Sequence, residues 1–375
     1  MMPEVAVPEP AAMVEPPAAP QEVAPAPEPE VPPVQPAAAP DALWQAIIAA
    51  RREGRTLELA GLLNELGQRY IEQEQPAAAQ ESFREALTIY EQAQDTEGML
   101  DMLSALASLS LEAGDLENAV VHTTRAVNLA GQLNDPAREG HLLALLGDIR
   151  IELDERDAAV LAYAKAVEAL RATDDALQRA IVQSKLGSAY MSQGSYAQAV
   201  PMFTQALAVF ERESMAEYQG YVLGMLGMAY GRAGQWEQAV AYHRQALAFA
   251  RQVGDLDEMN RQLTNLIYVA ETRGDRDAVL AYYRRALDLA YQAQEVAWQV
   301  TYLDGLGRLL MDDVTQVGFA VQLLDEAQAL APDDERERLL HRAQTRLERM
   351  EARGMRQAAV PDDIAAWAAG WSRES

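Results

Sequence analysis

One spacing constrains this chain more than any other feature. Gly187, Tyr190, Gly194, Ala199, Phe203 and Ala206 recur forty residues later as Gly227, Tyr230, Gly234, Ala239, His243 and Ala246, with size class kept at all but one position. Forty residues earlier stand Gly147, Ala159, Tyr163 and Ala166, and two further steps back the full pattern returns as Gly67, Tyr70, Ala79, Phe83 and Ala86. The register runs without an insertion from Gly67 to Ala286. A unit this short cannot bury its own apolar face, so each copy must stack on its neighbours and the chain must grow as a quasi-one-dimensional solenoid. A length of 375 residues is then compatible with one continuous body rather than two or three separate domains.

Within each period the pattern predicts two helices separated by a short turn at the position of Gly114, Gly194, Gly234 and Gly274, where a helix can end on a residue with positive φ. Asp115, Ser195 and Asp275 follow as expected N-caps, and Pro76 or Asp157 is the expected helix start where the turn lacks glycine. Longer connections at Asn134-Asp135-Pro136, Thr173-Asp174-Asp175 and Gly254-Asp255 join successive repeats.

The order large, Gly, aromatic in the first helix and Ala, aromatic, Ala in the second resembles the tetratricopeptide repeat. The period of forty rather than thirty-four is similar to the helix-extended form found in kinesin light chains and bacterial regulators. The resemblance covers about residues 56–330 and implies seven repeats. It departs from the pattern in repeat two, with Ala107 and Ser110, and in repeat six, with Ile267, Ala270 and Val279. In repeat seven Gly307 is in register but Ala320, Leu324 and Ala327 come one residue late, which places an extra residue near Val314 to Gly318. The expected fold is an all-α, right-handed α-solenoid superhelix of about seven antiparallel helix pairs.

The flanks differ in composition. Residues 1–40 hold 13 of the 18 prolines and no basic residue, which predicts a disordered spacer of polyproline II character. PxxP spacing at Pro17–Pro20 and Pro33–Pro36 fits a ligand for a Pro-recognising groove less well, because the usual flanking basic residue is absent. Residues 41–54 are expected to form an N-terminal capping helix opened by Asp41, residues 55–331 the solenoid, and residues 332–354 a C-terminal capping helix with Leu339, Ala343, Leu347 and Met350 in one stripe. In residues 355–375, Ile364, Trp367, Ala368 and Trp371 would share one face of a short helix. That face offers a route to self-assembly or to docking on the chain's own groove.

Composition excludes several functions. A formal net charge of -26 repels phosphate backbones and anionic bilayers, so nucleic acid and membrane are not expected partners. With no cysteine there is no disulfide, Cys-ligated zinc or thiol nucleophile, consistent with a soluble, cytoplasmic protein. No phosphate loop, zinc-binding HExxH helix or GxSxG elbow is present, and His122, His141, His243 and His341 are scattered without ligand spacing. The chain is therefore read as a non-enzyme without cofactor or metal.

What the resemblance implies instead is binding in a concave groove lined by the first helix of each repeat. Its central positions are Asn64, Ser104, Ala144, Ser184, Gly224, Thr264 and Asp304. The groove is small and polar in its first half, without the Lys and Asn of a two-carboxylate clamp, and then gains Tyr221, Met228, Arg232, Arg261, Tyr268 and Arg308. Arg suits carboxylates and planar stacking, and Tyr and Met give apolar contact. Asn265 is a further candidate, as a backbone hydrogen-bonder. Two interior glycines off the packing row, Gly224 and Gly231, each cost about 1 kcal/mol against Ala and call for either close helix contact or close approach of a ligand. The expected function is a scaffold or adaptor that binds a peptide or partner protein. A regulatory sensor and a self-assembling structural protein are the alternatives.

Overall fold

The computed structural model describes residues 42–311 and 317–332. They form fifteen helices and, among the described residues, no strand. Helix α1 (Ala42–Glu53) precedes seven antiparallel pairs: α2 (Thr56–Glu72) with α3 (Pro76–Ala93), α4 (Thr96–Glu112) with α5 (Leu116–Gln132), α6 (Pro136–Glu152) with α7 (Arg156–Leu170), and α8 (Ala176–Ser192) with α9 (Tyr196–Arg212). They continue with α10 (Ala216–Arg232) and α11 (Trp236–Val253), α12 (Leu256–Arg273) and α13 (Arg276–Ala293), and α14 (Val296–Leu310) and α15 (Val317–Leu330). Contacts concentrate between helices adjacent in sequence, the signature of a solenoid. The spacer expected at 1–40, the predicted Asp41 cap, all but the first residue of the helix expected at 332–354 and the Trp367/Trp371 segment lie outside the described residues.

The turns follow a step of twenty residues. A left-handed residue stands at Gly54, Glu74, Gln94, Gly114, Asn134, Asp154, Gly194, Ser214, Gly234, Gly254, Gly274 and Gln294. The amide of the next residue reaches back to close the helix end, as in Asp115 N to Ser110 O at 2.8 Å and Asp275 N to Ala270 O at 3.0 Å. That same residue then opens the following helix. Asp95, Asp115, Asp135, Asp175, Asp255 and Asp275 each accept a hydrogen bond from a backbone N–H three residues on. One chain reversal thus satisfies groups at two helix ends with two consecutive residues.

Two predicted starts differ from the structure. Ser195 is the residue before α9 but its side chain makes no capping bond. Asp157 does not open α7: Glu155 is the cap residue and Asp157 lies inside the first turn, where a carboxylate still favours the helix dipole. The single break in the twenty-residue step is at 174, where α7 stops at Leu170 and Thr173 Oγ1 donates to the Leu170 carbonyl at 2.9 Å.

Inside each pair, a glycine on the first helix lies under a large side chain on the second. A Cβ at Gly187 would stand 2.8 Å from the Phe203 ring, and at Gly67 and Gly147 it would run into Phe83 and Tyr163. Phe83 and Phe203 have no exposed surface, so the ring cannot withdraw. The degraded repeats solve the same problem otherwise. Repeat two fills the site with Ala107 and Thr123, both buried, and Thr123 Oγ1 donates to Ala119 O at 2.7 Å. In repeat six the bulk is on Ile267, and the Tyr283 ring lies instead over Gly305 of the next repeat. In repeat seven, Leu324 covers Gly307 from its shifted position, with a notional Gly307 Cβ 2.6 Å from Leu324 Cγ.

These contacts predict opposite effects for one substitution at two glycines. Gly187→Ala should destabilise by about 1 kcal/mol or more, overpacking against Phe203 outweighing the gain in helix propensity. Gly61, with nothing within 4 Å of its notional Cβ, should gain up to about 1 kcal/mol as Gly61→Ala. Thermal melts followed by circular dichroism read both, and shifts of the same sign would contradict the packing account.

Candidate partner-binding groove

The first helices of the repeats, α2, α4, α6, α8, α10, α12 and α14, carry the groove positions, and the side chains there fall into two classes. In the early repeats the charges are already paired with each other. Arg138 on α6 reaches Glu97 at 2.8 Å and Asp101 at 3.2 Å on α4 while also holding its own cap, Asp135, at 2.5 Å. Those carboxylates hold the guanidinium above its ordinary pKa, the Asp135 bond contributing most. Lys185 on α8 sits between both oxygens of Asp148 on α6, at 2.9 and 2.7 Å, and Asp148 also accepts from the Tyr163 hydroxyl at 2.6 Å. Burial, more than the Asp148 bond, pushes that phenol above its usual range. Composition alone gave no sign of this pairing, which depends on arginine and carboxylate positions about forty residues apart.

From α10 onward the surface changes. Tyr221, Met228 and Tyr268 are exposed apolar or aromatic side chains at 47%, 38% and 53%. Tyr221, Gly224, Met228 and Arg261 line one cavity of about 370 Å³ together with Glu217, Gly220, Met225, Phe249, Val253, Asp255, Glu258 and Gln262. Arg232, Asn265, Tyr268 and Arg308 do not line it. Arg232 is eleven residues past Tyr221 on the same helix, about 16 Å further along its axis. Two of the three arginines predicted to meet carboxylate ligands have carboxylates of their own: Arg261 pairs with Glu258 at 2.9 Å and Arg308 with Asp304 at 3.0 Å.

Phe249, Val253 and Asp255 were not legible as groove residues, because they belong to the end of α11 and the turn after it rather than to a first helix. They reach the cavity because Gly220 and Gly224 leave the α10 wall low. A Cβ at Gly220 would stand 3.2 Å from the Phe249 ring, and at Gly224 it would stand 2.9 Å from Gln262 Nε2. Helix α10 also touches the first helices on both sides, α8 and α12. The reason for Gly224 is therefore close contact: it admits Gln262. Gly231 meets only Ala239 and Val269 at ordinary contact distance.

Gln262 leads inward to the exception among the packing positions. His243 is 2% exposed, and its Nδ1 shares a hydrogen bond of 2.7 Å with Gln262 Oε1, while Gln262 Nε2 donates to Glu258 Oε1 at 2.6 Å. With the amide oriented this way, Nδ1 is the protonated nitrogen of the neutral ring. A polar chain runs from the core through Gln262 and Glu258 to exposed Arg261. His243 thus packs as a core residue and pays for its polarity with a satisfied partner. Asn64 has no such partner: its Oδ1 is buried and unbonded within the chain, beside a second cavity of about 520 Å³ at α2, α4 and α6.

A family model described as tetratricopeptide repeat matches residues 178–252, and a second with the same description matches residues 59–93. The chain contains tetratricopeptide repeats. Among solved structures, a signal-transduction ATPase with numerous domains that has a tetratricopeptide repeat sensor, from Pyrococcus horikoshii, matches at 14% identity over 80% of this chain and 46% of that one, with a TM-score of 0.55. BtubC from P. vanneervenii matches at 20% identity, covering 68% of this chain and 93% of that one at a TM-score of 0.46. MamA matches at 19% identity, covering 53% and 94% at 0.42. No curated protein matches the chain in sequence. These likenesses concern the fold. No helix among the described residues is long and apolar enough to cross a membrane, and no three His, Asp or Glu side chains among them are grouped to hold a metal ion.

The buried histidine gives this repeat protein a pH dependence with a definite sign. Burial lowers the His243 pKa, and the Gln262 bond opposes this only in part. A depressed histidine leaves the unfolded chain taking up the proton first, so its contribution is intact above the unfolded value near 6.5 and is lost as pH falls below it. His122, lowered by burial and then by Arg84 and Arg125, acts in the same direction. The double variant His243→Phe, Gln262→Leu should therefore lose less melting temperature between pH 7.5 and 5.5 than the wild type. An equal loss in both would show that His243 takes up its proton without cost.

Proposed function

We propose that this tetratricopeptide repeat protein is a protein-interaction scaffold that holds a segment of a partner protein in its groove, with the energetic centre on α10 and α12. The observation that carries the reading is the contrast along the groove. Charges of the early repeats are paired within the chain, whereas Tyr221, Met228 and Tyr268 are exposed and Tyr221 and Met228 border a cavity with an apolar lining. Aromatic side chains beside a preformed recess are where binding energy concentrates in protein interfaces. Tyr221, Gly224, Met228 and Arg261 form the centre of the proposed site, and Arg232, Asn265, Tyr268 and Arg308 extend it along the groove.

The test is positional. A photo-crosslinking amino acid placed at Met228 should capture a protein from native cell extract, and the same residue at Leu161, which is 64% exposed on α7, should not. Adding Tyr221→Ala should weaken that capture by about 30-fold, the effect of losing a hot spot of about 2 kcal/mol. Tyr268→Ala and Arg308→Ala should weaken it less. Capture from Leu161 alone would place the interface outside the groove.

A further inference from the structure

Two cavities of the groove share one wall. That wall is Glu217 and Tyr221, one helical turn apart on α10, and both side chains line the cavity of about 370 Å³ on one side and a cavity of about 620 Å³ on the other. Met225, Met228, Phe249 and Val253 give the first its apolar surface, and Ile151, Ile181 and Tyr218 contribute to that of the second. An apolar cavity of about 150 Å³ already holds a benzene ring, so each has room for one large side chain. The Tyr221 hydroxyl is fixed to Ser188 Oγ at 2.7 Å, which holds the ring in place as the divider.

Glu217 is the unusual member of the wall. Asp101, Asp148, Glu258 and Asp304 along the groove each hold an arginine or lysine of the chain. Glu217 is exposed and takes part in no ion pair among the described residues. The repeat itself supplies the comparison. At the two positions equivalent to Glu217 and Tyr221 the other first helices carry Leu57 and Gly61, Glu97 and Asp101, Ala137 and His141, Leu177 and Ile181, Asp257 and Arg261, and Ala297 and Thr301. Only α10 joins a carboxylate to a phenol ring there.

Resting on the groove reading above, we infer that the occupant is an extended segment with two apolar side chains and a basic one midway between them, the apolar pair entering the two cavities and the cation lying over Glu217. Geometry sets the spacing. In an extended chain residues i, i+2 and i+4 share one face, and at about 3.3 Å per residue the outer two stand about 13 Å apart. That span straddles a helix about 10 Å across. Charge sets the sign: around the first cavity Glu258 and Arg261 pair with each other, Glu217 and Asp255 remain, and the chain as a whole carries -26, so a cationic segment is drawn to it and an acidic one repelled.

The experiment is selection of a displayed library of random twelve-residue peptides on the immobilised full-length chain and, in parallel, on its Glu217→Arg variant. Both positions are exposed, and a melt of each variant confirms that it folds as the wild type does. The wild type should enrich apolar-x-basic-x-apolar peptides, and the variant should enrich peptides with Asp or Glu at the centre. Fluorescence anisotropy with one synthetic peptide from each pool should show at least about a tenfold preference that reverses between the two proteins. Tyr221→Ala, by merging the cavities, should weaken both peptides. The same pattern on wild type and variant, or no pattern on either, overturns the inference. Peptides that lose binding on Tyr221→Ala yet carry no basic centre would overturn it while leaving the groove as the binding surface, and peptides indifferent to both substitutions would remove the groove as well.

Discussion

The contact on which the solenoid depends is a ring or branched chain laid on a glycine of the paired helix. Gly67 under Phe83, Gly147 under Tyr163 and Gly187 under Phe203 bring the two backbones of a repeat closer than any residue with a Cβ would permit. The energetic return is the complete burial of a phenylalanine, worth about 3 kcal/mol at the upper end, against about 1 kcal/mol of helix propensity lost at the glycine. The sign of that balance explains why the pairing recurs at forty-residue intervals. It also explains the exceptions, since bulk can migrate, as it does from Gly to Ile267 in repeat six, provided that Tyr283 finds another glycine at Gly305.

Repeat five departs from this rule in chemistry rather than in size, and the departure shapes the groove. An imidazole fills the ring position, and a buried imidazole N–H left without an acceptor would cost about 1–3 kcal/mol. Gln262 supplies the acceptor from the following repeat. Its amide nitrogen, bonded to Glu258, lies close over Gly224, where a Cβ would stand 2.9 Å from it. The absence of a side chain at Gly224, together with Gly220, then leaves Phe249 and Val253 facing a recess instead of a helix wall. A polar substitution in the core is in this way connected, through one hydrogen bond and two glycines, to the form of the surface above it.

The parts of this architecture differ in how far the amino-acid sequence reveals them, and the difference is physical. Packing positions obey the forty-residue period because each is fixed by contacts within its own repeat, so Phe83, Phe203 and Ala246 were legible at once. Turns were legible where Gly114 or Gly274 marked them and not where Glu74, Gln94 or Gln294 takes the same left-handed conformation, a cost of about 1–2 kcal/mol that the rest of the repeat imposes. Ser195 illustrates the converse, a residue of the right type whose side chain makes no cap bond. The candidate groove was legible only by helix. Tyr221, Gly224, Met228 and Arg261 converge because they lie within two turns of one another across α10 and α12, whereas Phe249 and Val253 come from a second helix, which no pattern confined to first helices can select.

Charge completes the distinction between framework and surface. With 57 acidic and 31 basic residues, most cations can be taken up by carboxylates of the chain, and the groove shows that use in Arg138, Lys185, Arg261 and Arg308. A pair exposed at both ends, such as Arg138 with Glu97, contributes at most about 1 kcal/mol to stability, and all four pairs remove basic character from the groove. What remains uncompensated is negative, and at Glu217 it stands beside an aromatic ring and between two apolar recesses. A carboxylate in that setting costs little while water surrounds it. When an apolar segment covers the recesses and excludes that water, the same carboxylate must either be paired or be buried alone, at a cost of several kcal/mol. The selectivity of such a surface therefore comes less from attraction to a cation than from the penalty on any apolar segment that arrives without one.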